Sequence, residues 1–460
     1  MWFNLVNLKE ADLVMKKSWS RILALTMGIP LLLALLAACG AGTTGGGGNT
    51  PSGPVVIKIG TDFPVSGKDA SGGKPAEDGA HLAVDQANSN NTLGSGYTLQ
   101  FVPKDDVGPS GAHDPAVGKA NVTALIGDAE VAGIVGPFNS GVAEAEMPVA
   151  NQAPIALISP SNTFPCLTVN TSAALCTGSN DILSQVRPSG NVTYFRISTT
   201  DDKQGSVGAQ IVYNTLGVKT VWVVDDAEAY GIGIAGSFIY YYKNLGGKVL
   251  AHSSEPGTTT SFTGLLTQIA AAHPGAVYFG GTDATGGTPF RQQFSQVAAL
   301  KGVPLVGGDG IVTGDFAAKV APSLNVGKVY GTTGSVDVTT LPAAKTFISD
   351  YQAKYGTLGA YSANSYDAAT ALIQAIKKAI AGGAKPPTSS ADSAGAMTFR
   401  TAVINALKQT DLQGVTGHVT FDANGDNNNK VVSEFQLMAS KNPCDNSCWV
   451  LQKTVVAGGQ

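Results

Sequence analysis

The stretch Ile134-Val-Gly-Pro-Phe-Asn-Ser-Gly141, with its continuation Ala156-Leu-Ile-Ser-Pro-Ser-Asn-Thr163, decides the fold. Val131 to Val135 is a short apolar run ended by Gly136-Pro137, a pair that a helix interior does not tolerate, so it reads as a buried strand. Val142 to Asn151 carries helix formers, and Ile155 to Ile158 is apolar enough for a second buried strand. Strand, helix and strand at this spacing make a parallel pair through a right-handed crossover. Both strands then end on one edge of the sheet, where open α/β sheets bind their ligands. Asn139, Ser140 and Gly141 lie on that edge beside Ser159, Ser161, Asn162 and Thr163. Small hydroxyls and free backbone N–H groups, with a helix starting just after Ser140, suit a carboxylate or another small anion. The same residue types are ordinary turn and cap residues. Two such loops on adjacent strands favour the ligand reading.

Towards the amino terminus, Lys16, Lys17 and Arg21 precede the apolar run Ile22 to Leu36, which closes on Leu36-Ala37-Ala38-Cys39-Gly40. A positive start, an apolar middle and a small-residue cleavage site make an export signal. The ending resembles a bacterial lipobox, in which Cys39 becomes the lipidated first residue. Met15 is the expected start, because the residues before it include Glu10 and Asp12 and fit no export signal. Ala41 to Pro54 reads as a Gly/Thr-rich tether with a mean span of about 20 Å. The remaining length, about 400 residues, is enough for two domains of ordinary size.

With a net charge of −4 and a pI near 5.7, the chain lacks the basic balance of a nucleic-acid binder. The 43% hydrophobic content supports large cores, yet nothing after residue 40 is long and apolar enough to span a bilayer. Cys166 with Cys176, and Cys444 with Cys448, form two near pairs, none at zinc-ligand spacing from a histidine. In an exported chain they read as two disulfides. The first would staple an excursion from Thr163 to Val192, contributing roughly 3 kcal/mol.

Val55 to Gly60 and Tyr97 to Pro103 read as strands, Ala76 to Ala87 and Pro115 to Ile126 as helices. The β-α-β-α rhythm predicts a doubly wound sheet. Ile59-Gly60, Pro64-Val65-Ser66-Gly67, Gly79-Ala80, Asp105-Asp106, Gly133-Ile134-Val135-Gly136-Pro137 and Ile158-Ser159-Pro160-Ser161 follow one another here. In that order and spacing the chain resembles the leucine/isoleucine/valine-binding proteins, the type I periplasmic substrate-binding components of ABC importers, from Val55 to about Leu437. The resemblance implies that Ser140, Ser161 and Thr163 bind the α-carboxylate of an amino acid, with Ser161 also offering its carbonyl to the ammonium. It places an acidic partner for the ammonium at Asp309, at the end of the expected strand Pro304 to Gly308, and sends Tyr230 into the cleft. Two aromatic residues of the family are missing: Gly72 and Thr282 stand in their places, which removes apolar wall around the ligand side chain.

Gly231-Ile-Gly-Ile-Ala-Gly236 matches a dinucleotide fingerprint, but it stands six residues beyond its strand, and acidic residues in that interval would repel a pyrophosphate. Tyr361 and Tyr366 either border the cleft or pack. Asp422, Asn424 and Asp426 begin like a calcium loop, but Asn427 and Ser433 replace its glycine and final glutamate. A hairpin between Gly417–Phe421 and Lys430–Met438 is the better reading.

These readings predict two α/β lobes, each a mainly parallel sheet flanked by helices, joined by a three-strand hinge. The signal covers 1–39 and the linker 40–54. The first lobe holds 55–198 and 331–430, and the second holds 199–330 with the return and tail at 431–460. The implied function is extracytoplasmic capture of an amino acid, branched-chain or a related small polar solute, for an ABC permease, by lobe closure. That reading makes the chain a monomeric lipoprotein, held at the membrane only by its lipid, with no enzymatic activity, cofactor, metal or nucleic acid. A receptor or sensor on the same scaffold is the first alternative; an exported enzyme is the second, though no nucleophile–base set is visible.

Overall fold

Along Val131–Val135, Val131 and Ile134 pack on one face of a sheet and Ala132 and Val135 on the other, the alternation being broken by a register shift at Ala132 in the pairing with Lys58 and Ile59. Both faces are covered by helices, which is why the run is apolar throughout. The computed structural model describes residues 53–170 and 181–456. In the first lobe, β1 (Val55–Phe63), β2 (Tyr97–Asp105), β3 (Val131–Val135), β4 (Ala156–Ser159) and β5 (Tyr194–Arg196) form a parallel sheet in the order β2-β1-β3-β4-β5. One face packs on the helices Ala70–Ser89, Ser362–Ala381 and Ser393–Leu407 through Ile57, Ile59, Leu372 and Val403. The other packs on Pro115–Gly127 and Ser140–Gln152 through Val122, Leu157 and Met147. Each such side chain, fully buried, stabilises the lobe by about 1.5–3 kcal/mol before chain entropy is counted.

The second lobe is built from β6 (Thr220–Asp225), β7 (Lys248–Ser254), β8 (Ala276–Gly280), β9 (Leu305–Gly307) and β10 (Val329–Thr333), all parallel. The chain then re-enters the first lobe for its helices and a small ladder, β11 (Leu412–Gly414) with β12 (Gly417–Val419). It returns as β13 (Val431–Leu437) and β14 (Trp449–Val456), antiparallel additions that give the order β14-β13-β10-β9-β8-β6-β7. The expected hairpin is therefore corrected. Gly417–Val419 pairs backwards with Leu412–Gly414, and Val431–Leu437 belongs to the other lobe, because the chain must cross between them. Its turn survives as a Phe421–Asn427 bridge, with Asp422 Oδ1 accepting from the N–H groups of Asn424 and Asp426. The carboxyl-terminal stretch, read from sequence as a tail, is the edge strand β14.

Three segments cross between the lobes, and Thr199 laces them together. Its N–H donates to the Gly334 carbonyl at 2.7 Å, and its hydroxyl accepts from the Val431 N–H at 2.8 Å. The fingerprint glycines serve close packing. A Cβ on Gly231 would lie 2.0 Å from Asp226 Oδ1, and one on Gly233 would lie 2.5 Å from the Phe164 ring of the opposite lobe. Cys444 and Cys448 are bonded as a disulfide. Cys166 is buried; Cys176, its expected partner, lies outside the described residues, as do Cys39, the export signal and nearly all of the tether. No helix among the described residues is long and apolar enough to cross a membrane.

Candidate ligand-binding site

β3 and β4 end side by side, and their loops are tied to each other before any ligand is considered. Ser159 Oγ donates to the Pro137 carbonyl and accepts from the N–H groups of Ser161 and Asn162. Ser161 Oγ and Asn162 Nδ2 both donate to the Phe138 carbonyl at 2.8 Å. Ser159 and Asn162 are thus structural. Asn139 and Ser140, at the start of the helix Ser140–Gln152, line the same space.

That space is a cavity between the lobes of roughly 650 Å³, mouth included. Ser140 and Ser161 line it from the first lobe; Tyr230, Thr282 and Asp309 line it from the second. Thr163 does not line it. It is fully buried beneath, its carbonyl accepting from the Asp201 N–H at 2.8 Å and its methyl facing hinge residue Gly334. Thr282 caps a helical turn, accepting from the Thr285 N–H at 3.1 Å.

Asp309 is the centre of the second lobe's wall. Its Oδ1 accepts from Gln204 Nε2 at 2.8 Å and from the Tyr230 hydroxyl at 2.9 Å. Its Oδ2 accepts from the Tyr361 hydroxyl at 2.9 Å, a bond that crosses from lobe to lobe. Burial pushes the Asp309 carboxyl above the ordinary carboxylate range, while Gln204, Tyr230 and Tyr361 pull it down. Asp201 shares the Gln204 amide at 3.1 Å, and burial followed by the Asp309 charge holds its carboxyl well up. A cation placed against Asp309 would relieve both effects.

Phe138 and Gln204 escaped the sequence reading. Phe138 stood inside the quoted stretch, but nothing marked it as wall. Its ring approaches within 3.1 Å of where a Gly72 Cβ would lie, filling space beside that glycine. Tyr361 lines the cavity, whereas Tyr366 packs on Phe347 and donates to Gln86 Oε1 at 2.6 Å. Gln204 had no local signal, because its role depends on a contact 105 residues away.

A second bridge joins the lobes. His113 and Asp69 belong to the first lobe, Glu228 to the second; His113 Nδ1 lies 3.1 Å from Asp69 Oδ2 and Nε2 lies 2.8 Å from Glu228 Oε2. Burial alone would lower the His113 pKa, but hydrogen bonds and charges from Asp69 and Glu228 hold it well above 6.5. Asp106, also buried, faces the same imidazole. A pKa raised in the closed form means that the bridge is complete below the ordinary histidine value and is lost as pH climbs through the raised one. Ligand affinity should therefore fall across that interval. Calorimetric titrations should show His113→Gln with a flatter pH profile and about 1–2 kcal/mol weaker binding near neutrality, a modest effect because the Glu228 side chain is 37% exposed. An unchanged profile in the variant would exclude the bridge from closure.

The family model described as "Periplasmic binding protein" matches residues 56–442. The Leu/Ile/Val-binding protein BraC3 of Rhizobium johnstonii is 29% identical over 389 residues, spanning 84% of this chain and 92% of its own length. Among solved structures, the leucine-binding protein LivK of Thermotoga maritima superposes with a TM-score of 0.69 at 21% identity, over 87% of this chain and 99% of that one. The branched-chain amino acid transporter substrate-binding protein LivJ of Streptococcus pneumoniae, in complex with isoleucine, gives 0.66 at 26% identity over the same shares. These relatives are binding proteins, not enzymes.

Proposed function

Because the chain belongs to the periplasmic binding protein family and is related to its branched-chain amino acid members, we propose that it captures a free amino acid between its lobes and presents it to an ABC-type importer. The observation that carries this reading is the division of labour across one cavity. The first lobe offers Ser140 and a helix start, with Ser161 beside them, to a carboxylate; the second offers the half-buried carboxylate of Asp309 to an ammonium. A zwitterion satisfies both ends, and a closing cleft requires that, since an unpaired buried charge costs several kcal/mol. Thr163 acts from beneath, holding Asp201 and the hinge rather than touching the ligand. Closure follows because only the closed form meets both charges. Mass spectrometry of small molecules released on denaturing the purified protein tests the reading: an amino acid is expected, and a ligand lacking an amino group would contradict it.

Family membership places the protein outside the cytoplasm. The lipobox reading adds an anchor at Cys39, leaving the binding domain tethered as a monomer beside its permease. Cys39→Ala should release the protein from membranes into the soluble fraction. Full membrane retention by that variant would rule the anchor out.

A further inference from the structure

The cavity holds more charge than an amino-acid backbone uses, and its groups divide into committed and uncommitted. The carboxylates are committed. Asp69 is paired to His113; Asp283 accepts from the hydroxyls of Thr288 and Thr313; Asp309 is the ammonium partner already described. Lys68 and Ser71 also line the cavity, and among the described residues neither the Lys68 ammonium nor the Ser71 hydroxyl has a hydrogen-bond or ion-pair partner. Polar groups left unmet in a closed site penalise any ligand that cannot bond to them. The apolar lining comes from Phe138, Val312, Ala360 and the two tyrosine rings.

We propose that the ligand is an acidic amino acid, whose side-chain carboxylate is received at the cavity mouth by Lys68 and Ser71. This rests on the amino-acid reading above. Lys68 is exposed, so its partner keeps part of its hydration and avoids the full cost of burying an ion pair. The neighbouring Asp69 does not repel that carboxylate, because its charge is met by His113. Asp283 is likewise covered by its two threonines.

Calorimetric titration of the purified protein with L-glutamate, L-aspartate, L-alanine and L-leucine tests the assignment. An acidic amino acid should bind at least about tenfold tighter than leucine. Lys68→Ala should weaken its binding about tenfold more than that of alanine, with Lys68→Arg recovering much of the loss. Added salt should weaken the acidic ligand more than alanine. Leucine binding more tightly than both acids, or Lys68→Ala weakening all ligands equally, would overturn this assignment while leaving amino-acid capture standing. Failure of every amino acid to bind would overturn both.

Discussion

Replacing Arg196 with alanine should lower the unfolding free energy by about 3–5 kcal/mol, the cost of leaving a buried charge without its partner. The guanidinium is fully buried at the end of β5. Its Nε donates to Asp426 Oδ1 at 2.6 Å, and its remaining N–H groups reach the Phe164 carbonyl at 2.7 Å and the Thr168 hydroxyl. Three pieces meet there: the sheet edge, the loop below the ligand cavity and the last crossing between lobes. Burial alone would raise the Asp426 carboxyl, but the Arg196 charge, with Lys430 behind it, holds it below 3.8. A depressed folded pKa means that this stabilisation is present above the ordinary carboxylate value and is lost as pH falls through the depressed one. Urea denaturation near neutral pH should therefore show the full loss, and the variant and wild type should converge in acid. A loss under about 1 kcal/mol would mean that the pair is not a structural centre.

The ion pair also marks what the sequence could and could not reveal. Asp426 was visible only as part of a weak calcium-like pattern; its true partner lies 230 residues earlier. Strands and helices of the first lobe were legible because apolar runs between turn residues report burial on two sheet faces. Asn139, Ser140 and Ser161 were legible because parallel strands must deliver their loops to one edge. Thr163 was read as a cavity residue, but it is fully buried and does not line the cavity. β14 was not legible because Trp449 to Val456 does not alternate between apolar and polar residues; its antiparallel pairing with β13 makes it a strand. Glu146 was invisible as well. The helix pattern does not say that it packs, fully buried, beside Asp62, where burial and then the Asp62 charge hold its carboxyl well above the ordinary value.

Asp309→Ala should weaken amino-acid binding by about 2–4 kcal/mol, some 30- to 1000-fold. The substitution removes the ammonium's anionic partner and also leaves Tyr230, Tyr361 and Gln204 without their shared acceptor. Asp309→Asn separates these effects, because it restores an acceptor for part of the network without restoring the charge. It should recover little affinity if the ammonium is the main partner. Ser140→Ala should cost only about 1–2 kcal/mol, since the backbone N–H groups at the helix start remain. Equal losses in Asp309→Ala and Ser140→Ala would contradict the assignment of opposite charges to opposite lobes.

That assignment makes closure itself the observable. Small-angle X-ray scattering of the purified protein, with and without a saturating amino acid that binds it, measures whether the lobes approach. The wild type should become measurably more compact on binding, and Asp309→Ala, at a concentration that saturates it, should not. An unchanged radius of gyration in the wild type, or equal compaction in the variant, would contradict a cleft that closes by meeting the ligand's two charges from its two lobes.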